Sequence, residues 1–237
     1  SEMCIRDRNT RATAAELFEG LDARSQNHVG SLGFDLLAVN DLMSPFFAAG
    51  FYYKTFMWPK AFWEKLYEPM IRRAAGLGSL SMQADPDSYD SGFLHCDLLV
   101  IGGGAAGLAA ALTAARTGAR VILADEDFRL GGRLLAESAP LDRPATEWIA
   151  EVEAEFASLP NLRVMRRTTV WGAFDHGIYG AVERVSDHLP TPGKRVRQSL
   201  WRITAKRAIL AAGATERHIP FANNDRPGVM MAGAMRA

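Results

Sequence analysis

The amino-acid sequence predicts an α/β fold organised around a parallel β-sheet, and three observations lead to this prediction. An apolar segment typical of a buried strand, Leu98–Ile101, runs directly into a glycine-rich turn and an alanine-rich helical segment. A second apolar strand, Arg120–Ala124, ends at an acidic residue, Asp125. Three later segments alternate apolar and polar residues, as half-buried antiparallel strands do. We therefore expect a three-layer Rossmann-like, dinucleotide-binding fold that carries an antiparallel crossover meander.

The glycine-rich turn has the G-x-G-x-x-G spacing of a dinucleotide-binding loop, in Gly102, Gly104 and Gly107. The first glycine allows a sharp turn out of the strand, the second lets the backbone approach a pyrophosphate, and the third lets the next helix pack closely. The helix is predicted over Ala105–Thr117 and is expected to end at Gly118, which suits a left-handed C′ position. Its N-terminus would then point at the anion.

An acidic residue stands where dinucleotide-binding folds place a ribose-binding carboxylate. Asp125 lies 23 residues after Gly102, at the end of the second strand. Its carboxylate is suited to accept hydrogen bonds from the hydroxyls of an adenosine ribose and to repel a 2′-phosphate. The sequence thus favours NAD or FAD over NADP, while the fingerprint itself does not separate NAD from FAD.

Two later glycine-containing segments are expected to approach the same ligand. The pair Gly131–Gly132 allows a loop to close over the pyrophosphate, and the next residue, Arg133, is suited to supply positive charge. The apolar segment Arg207–Ala214 is predicted to return as a strand beside the first one and to end near the cofactor. No pair of cysteines lies between Asp125 and Trp148, which argues against a flavoprotein disulfide reductase with a redox-active cystine.

The remaining predicted elements complete the domain. An amphipathic helix is expected over Pro144–Leu159, followed by a parallel strand at Arg163–Met165. The alternating antiparallel strands are Thr168–Trp171, Gly180–Val185 and Leu200–Thr204, with a hairpin loop at Pro190–Arg195 before the last of them.

The sequence before this domain is less regular. Residues 1–8 are interpreted as a non-native or disordered leader, residues 9–93 as an irregular aromatic-rich arm with a linker, and residues 94–237 as the FAD/NAD(P)-binding domain. Ten aromatic residues lie between Phe46 and Tyr67, and they require burial either against the chain's own α/β domain or against a partner. Short helical pieces are expected at Lys60–Lys65 and Met70–Ala75, and the linker over Ser79–Phe93.

Composition argues against several classes of protein. The 237 residues are 48% hydrophobic and 23% charged, with a formal net charge of zero, which offers no basic surface for nucleic acid or for a membrane. The 18 uncharged residues from Leu98 to Ala115 approach the length of a membrane span, but the glycine turn and the following strand argue against one. With two cysteines and no signal peptide, we expect a cytoplasmic location.

Four segments resemble the α subunits of heterotetrameric sarcosine oxidases: Gly50–Pro59, Phe174–His176, Gly180–His188 and Ala222–Val229. The resemblance extends from about Asn9 to Ala237, and related α subunits include those of amino-acid and opine dehydrogenases and of hydrogen cyanide synthase. It implies a fold of the glutathione reductase type that is incomplete here. A small β-rich domain is expected before Asn9, and the rest of the nucleotide fold and a folate domain are expected after Ala237.

The resemblance also implies a chemistry. Enzymes of this family oxidatively demethylate sarcosine to glycine, with formaldehyde and hydrogen peroxide as products. FAD and the amine oxidation site lie in the β subunit, FMN lies at the α/β interface, and tetrahydrofolate binds the C-terminal domain of the α subunit. The Rossmann site of the α subunit binds NAD, so the implied partners are the small subunits of the complex and the FAD-carrying β subunit.

The implied cofactor-binding positions combine the fingerprint with the resemblance, and neither a catalytic residue nor a metal site is predicted. They are Gly102, Gly103, Gly104, Ala106, Gly107, Asp125, Glu126, Gly132, Arg133, Val170, Ala212 and Gly213, with Val170 a candidate for backbone contact with adenine. Two other interpretations stay open: an FAD-dependent amine, amino-acid or opine dehydrogenase subunit, and a non-catalytic scaffold subunit that its cofactor only stabilises. We expect this chain alone to be catalytically inert.

Overall fold

Two compact units, Ser1–Pro86 and Asp87–Ala237, make up the chain in a computed structural model. The structure describes residues 16–21, 28–31, 33–39, 42, 59–74, 84–85, 87–136, 144–191 and 193–236. The predicted leader over residues 1–8 and most of the aromatic segment, residues 46–58, lie outside the described residues.

The N-terminal unit contains a small hairpin and a helical run. β1 (Gly30–Ser31) pairs antiparallel with β2 (Phe34–Asp35), and the Asp35 carboxylate accepts a hydrogen bond of 2.9 Å from the N–H of Leu37 in the following 3-10 turn. The helical run joins the two predicted pieces up to residue 74. It passes from a 3-10 turn at Lys60–Phe62 through a π-helical turn at Trp63–Tyr67 into α1 (Glu68–Ala74).

The C-terminal unit is built on one six-stranded sheet with the strand order β5-β4-β3-β8-β7-β6. Its strands are β3 (Tyr89–Ile101), β4 (Val121–Ala124), β5 (Leu162–Met165), β6 (Thr168–Phe174), β7 (Ile178–Arg184) and β8 (Gln198–Leu210). Strands β5, β4, β3 and β8 are parallel to their neighbours, whereas β8, β7 and β6 form an antiparallel meander. These two parts correspond to the predicted nucleotide-binding sheet and the predicted crossover meander.

The helices of this unit follow the parallel strands. They are α2 (Ala105–Arg116), α3 (Ala145–Ser158) and a short α4 (Ala232–Arg236), with 3-10 turns at Gly132–Leu135 and Asp175–Gly177. α2 ends as predicted, because Gly118 takes a positive φ of 85° after the helix and its N–H donates to the carbonyl of Ala115 at 2.9 Å.

The parallel sheet separates two hydrophobic clusters, as the strand period of two requires. Val100 and Leu123 face α2 and α3, where they pack with Leu108, Val152 and Phe156. Leu99 and Ile122 face the opposite side, where they pack with Ala181 of β7 and Ile203 of β8. Helices, parallel sheet and meander therefore form the three layers predicted from the sequence.

Strands β6 and β7 differ from the prediction by one to three residues at their ends, and two other differences affect the course of the chain. β3 begins at Tyr89, inside the predicted linker Ser79–Phe93, and the predicted strands Leu200–Thr204 and Arg207–Ala214 are one continuous strand, β8. The cause is a single ladder in which β3 and β8 pair in parallel from Tyr89 opposite Gln198 to Ile101 opposite Leu210. Since β7 pairs only with the first half of β8, one strand belongs both to the meander and to the parallel sheet.

The uncharged stretch from Leu98 to Ala115 divides into the end of β3, the glycine turn and most of α2. Among the described residues, no helix has the length and apolar character needed to cross a membrane. Cys96 lies within β3 as a free, buried thiol, and its burial raises the thiol pKa to about 11. A thiol with such a pKa stays protonated near neutral pH and is a poor nucleophile.

Asn161 connects the loop before β5 to the end of α2. Its side-chain amide donates to the carbonyls of Ala115 and Ala119, at 2.8 and 2.7 Å, and its own backbone carbonyl accepts from the N–H of Val121 at 2.8 Å. Ala115 lies in the last turn of α2 and Ala119 in the loop after it, so the Asn161 amide ties this loop to the helix end, in addition to the bond from the Gly118 N–H to Ala115.

We expect Asn161→Ala to lower the free energy of unfolding by about 1–2 kcal/mol, because the carbonyls of Ala115 and Ala119 lose their bonds from the Asn161 amide. Denaturation by urea measures this change. Asn224→Ala is the matched control, since the Asn224 amide lies on an exposed loop and bonds His218. Equal stability of the two variants would contradict the assignment.

Candidate functional site

The glycine loop turns sharply out of β3 at Gly102. This residue has a φ of +106°, and its N–H donates to the carbonyl of Ala124 at 2.8 Å. A Cβ here would overlap the backbone of Ala211 and Ala212, which pass beside the loop after β8. Glycine is therefore required both by the backbone conformation and by the space around it.

The other two fingerprint glycines have opposite surroundings, as their predicted roles require. A Cβ on Gly107 would overlap the carbonyl oxygen of Gly102, so only glycine lets α2 approach the strand end this closely. Gly104, in contrast, has an ordinary φ of −74°, and nothing lies within 4 Å of the position that its Cβ would occupy. The protein thus leaves open space at the second glycine, where a pyrophosphate is expected to lie close to the protein backbone.

The N-terminus of α2 opens into this space. Gly104 is the N-cap residue and makes no side-chain cap, and the helix begins at Ala105. The first N–H groups of a helix lack acceptors within the helix, and together with the helix dipole they favour an anion. The loop and the helix therefore offer a cradle suited to a pyrophosphate.

Asp125 lies beside the glycine loop at the end of β4. Its Oδ2 accepts a short hydrogen bond from the N–H of Gly103, and its Oδ1 accepts one of 2.8 Å from the N–H of Asp127. A carboxylate offers about four acceptor positions, so capacity remains for ribose hydroxyls. Asp125, the residue predicted to bind the ribose, therefore also fixes the glycine loop. Sequence reasoning did not predict its bond to Gly103.

The glycine pair after β4 packs directly on the first loop. The N–H of Gly131 donates to the carbonyl of Gly103 at 2.8 Å, and Gly131 forms an isolated bridge with Gly104. Gly131 has a φ of +123° and Gly132 one of +53°, so both adopt conformations that favour glycine. The loop therefore packs on the glycine turn, and Gly131 joins the candidate residues. The closure of this loop over a pyrophosphate stays a prediction.

The end of β8 also reaches the site. The N–H of Ala211 donates to the carbonyl of Ile101 at 2.7 Å, which places Ala211 and Ala212 next to Gly102. Gly213 has a φ of +68° and open space at its Cβ position. The carboxyl ends of β3, β4 and β8 therefore meet at one edge of the sheet, where open α/β sheets bind ligands.

Four other predicted positions are less central. Ala106 and Glu126 are exposed beside the loop, in the first turn of α2 and directly after Asp125. Val170 is half-buried in β6, two residues after Thr168, whose N–H donates to the Asp125 carbonyl at 2.7 Å. The Arg133 guanidinium lies against Gly233, near the Glu216 carboxylate. The proposed contacts of these four residues with a cofactor stay predictions.

Residues of the meander hold the loop that carries Asp125. Arg184 donates from its guanidinium to the carbonyl of Glu126 at 2.5 Å, and the N–H of Arg167 donates to the carbonyl of Asp127 at 3.0 Å. Sequence reasoning missed both arginines, since neither lies near Asp125 in the chain. The only sequence signal that could have indicated these two arginines was the predicted meander, because its strands have to pack on the parallel sheet.

A groove of about 560 Å³ lies beside the turn at Arg167, between α3, the free edge of β5 and the end of β7. Its lining includes Phe156, Val164, Arg166, Glu183 and His188. None of the twelve predicted cofactor positions lines it. The candidate site is therefore defined by the converging strand ends and not by this groove.

Comparison with known proteins agrees with this geometry. Residues 97–184 match the family of FAD dependent oxidoreductases. The matched segment begins in β3 and ends at the last residue of β7, so it contains the glycine loop, Asp125 and most of the meander.

Curated relatives extend the similarity over nearly the whole chain. The chain is 58% identical to a sarcosine oxidase alpha subunit from Rhizobium meliloti (strain 1021) over 97% of its length, which is 23% of that relative. It is 46% identical to the corresponding protein of Corynebacterium sp. (strain P-1), over 68% of this chain and 17% of that relative. An opine oxidase subunit from Agrobacterium tumefaciens (strain Ach5) is 36% identical over 58% of this chain and 28% of that relative.

The chain therefore spans less than a quarter of the length of the sarcosine oxidase subunits that it matches. Within that segment, the match to the Rhizobium meliloti protein extends over 231 residues, so it includes the glycine loop, the acidic strand end and the meander. The resemblance read from the sequence is confirmed: over nearly its whole length, the chain is similar to one segment of the sarcosine oxidase α subunits.

Proposed function

We propose that this chain binds the ADP half of a dinucleotide cofactor, as part of the α subunit of an amine-oxidising enzyme complex. The single observation that carries the proposal is the open cradle at Gly104, which is bordered by the N-terminus of α2 and by the Asp125 carboxylate. The cradle suits a pyrophosphate, and the carboxylate suits the hydroxyls of the adjoining ribose.

NAD is the cofactor that we propose for this site, because the α subunits that the chain resembles are expected to hold NAD in their Rossmann domain. FAD is the second candidate, and the match to FAD dependent oxidoreductases favours it. Both contain ADP with a free 2′-hydroxyl, and the Asp125 carboxylate opposes the extra phosphate of NADP. Either cofactor, when bound, supplies the capacity to accept a hydride.

For the complete complex we propose oxidative demethylation of sarcosine to glycine. The proposal rests on the 58% identity to a sarcosine oxidase alpha subunit. The partners would be small subunits together with a β subunit that carries FAD, with FMN at the interface, tetrahydrofolate in another domain and a cytoplasmic location. An opine or amino-acid dehydrogenase subunit is the second candidate, favoured by the 36% identity to an opine oxidase subunit.

The nucleotide released by the complete α subunit, expressed without partner chains, tests the proposal. After denaturation, absorbance and mass identify what the subunit held. Release of NAD supports the sarcosine oxidase proposal, with amine oxidation in a partner chain. Release of FAD would move the redox chemistry into this subunit, which would favour the dehydrogenase. Release of neither would favour a scaffold role and contradict the proposed site.

Asp125→Asn tests the ribose assignment. We expect the affinity for NAD to fall about tenfold, since charge-assisted bonds to ribose hydroxyls weaken, and the preference for NAD over NADP to narrow. Calorimetric titration with both nucleotides measures this change. The matched control is Asp127→Asn, because that side chain is an exposed neighbouring acid. An unchanged affinity for both nucleotides in Asp125→Asn would contradict the assignment.

A further inference from the structure

An aromatic ring and a guanidinium form a pair just beyond the proposed ribose site. Phe128 follows Asp125 by three residues and is 46% exposed. The guanidinium carbon of Arg167 lies over its ring, 5.6 Å from the ring centroid. A cation at this distance interacts favourably with the ring, so the two groups hold each other in place.

Arg167 of this pair has a backbone conformation that is unfavourable for a residue with a side chain. Arg167 has a φ of +53°, in the left-handed region that a non-glycine residue rarely adopts. Bonds on both sides maintain it, since its N–H donates to the carbonyl of Asp127 at 3.0 Å and its carbonyl accepts from the N–H of Arg184 at 2.9 Å. Residues held in this way often serve a binding site.

Covalent geometry places the base of the cofactor near this pair. The pyrophosphate joins one side of the ribose, toward Gly104, and the purine is bonded directly to the ribose ring. If Asp125 binds the ribose hydroxyls, only the ribose ring separates the purine from that carboxylate. The loop from Asp125 to Phe128 and the turn at Arg167 border this region.

We infer that Phe128 and Arg167 form a stacking wall for the purine ring of the dinucleotide. This inference rests on the proposed function and adds the residues that recognise the base. The wall contacts the π face of the base and not its hydrogen-bonding edge. Neither a phenyl ring nor a stacked guanidinium distinguishes one arrangement of donors and acceptors on that edge from another. The wall therefore accepts hypoxanthine as well as adenine.

The chain offers an internal control for this pair. Arg202 lies over the ring of Phe93 at the same distance, 5.6 Å, and Phe93 is 69% exposed. That pair lies where β3 and β8 run side by side, on strand residues far in register from Ile101 and the glycine loop. Each phenylalanine thus is exposed and has an arginine over its ring, but only Phe128 lies close to Asp125 in the chain.

The test uses ADP, the half common to NAD and FAD, and ribose 5-diphosphate, which lacks the base. Calorimetry with the full chain compares Phe128→Leu, Phe128→Tyr and the control Phe93→Leu. We expect Phe128→Leu to weaken ADP binding about tenfold, and Phe128→Tyr and Phe93→Leu to bind within about twofold of the parent chain. Ribose 5-diphosphate is expected to bind the parent and Phe128→Leu equally, because it has no base to stack.

A second variant covers the case in which Phe128→Leu does not fold. Arg167→Lys keeps the charge but removes the planar guanidinium, and we expect it to weaken ADP binding about threefold without affecting ribose 5-diphosphate. Equal weakening of both ligands would overturn the stacking wall, since the pair would then only shape the loop. Unchanged ADP binding in both variants would also overturn it, while leaving the dinucleotide site intact. Failure of the parent chain to bind ADP would overturn the proposed function and the wall together.

Discussion

The contact between Gly107 and the carbonyl of Gly102 is the constraint on which the rest of the site depends. It allows α2 to rest directly on the backbone of the glycine loop, at a separation that no other residue type permits. This contact determines where the helix N-terminus stands relative to the end of β3. Every other candidate residue is arranged around that helix end, because the strand ends meet there.

Asp125, the proposed ribose-binding residue, also holds parts of the fold together beside this helix end. Its carboxylate accepts from Gly103, while its backbone carbonyl accepts from Thr168 at the start of the meander. The loop that carries Asp125 is thus held by the glycine loop on one side. On the other side it is held by Arg167, just before β6, and by Arg184, at the end of β7. The third layer of the fold therefore supports the candidate site, although it contributes no residue to the glycine fingerprint.

Local patterns were sufficient to predict the geometry of the glycine loop at the centre of the candidate site. The roles of Gly102, Gly104 and Gly107 depend on spacing within a few residues, and the end of α2 depends on the glycine that follows it. The continuity of β8 was not predictable in this way, because it comes from pairing with β3, a strand about a hundred residues earlier in the chain. The bond from Arg184 to Glu126 joins residues 58 positions apart, and only the strand order brings them together.

Gly104→Ala tests the central claim most directly, because the structure gives this change no cost in the free protein. Nothing lies within 4 Å of the new methyl group, and the φ of −74° suits alanine. The same is true of the space at Gly33, so Gly33→Ala is the matched control. We expect Gly104→Ala to keep the melting temperature within a few degrees of the parent and to weaken ADP binding at least about tenfold, while Gly33→Ala changes neither. Unchanged ADP affinity in Gly104→Ala would contradict a pyrophosphate cradle at this loop.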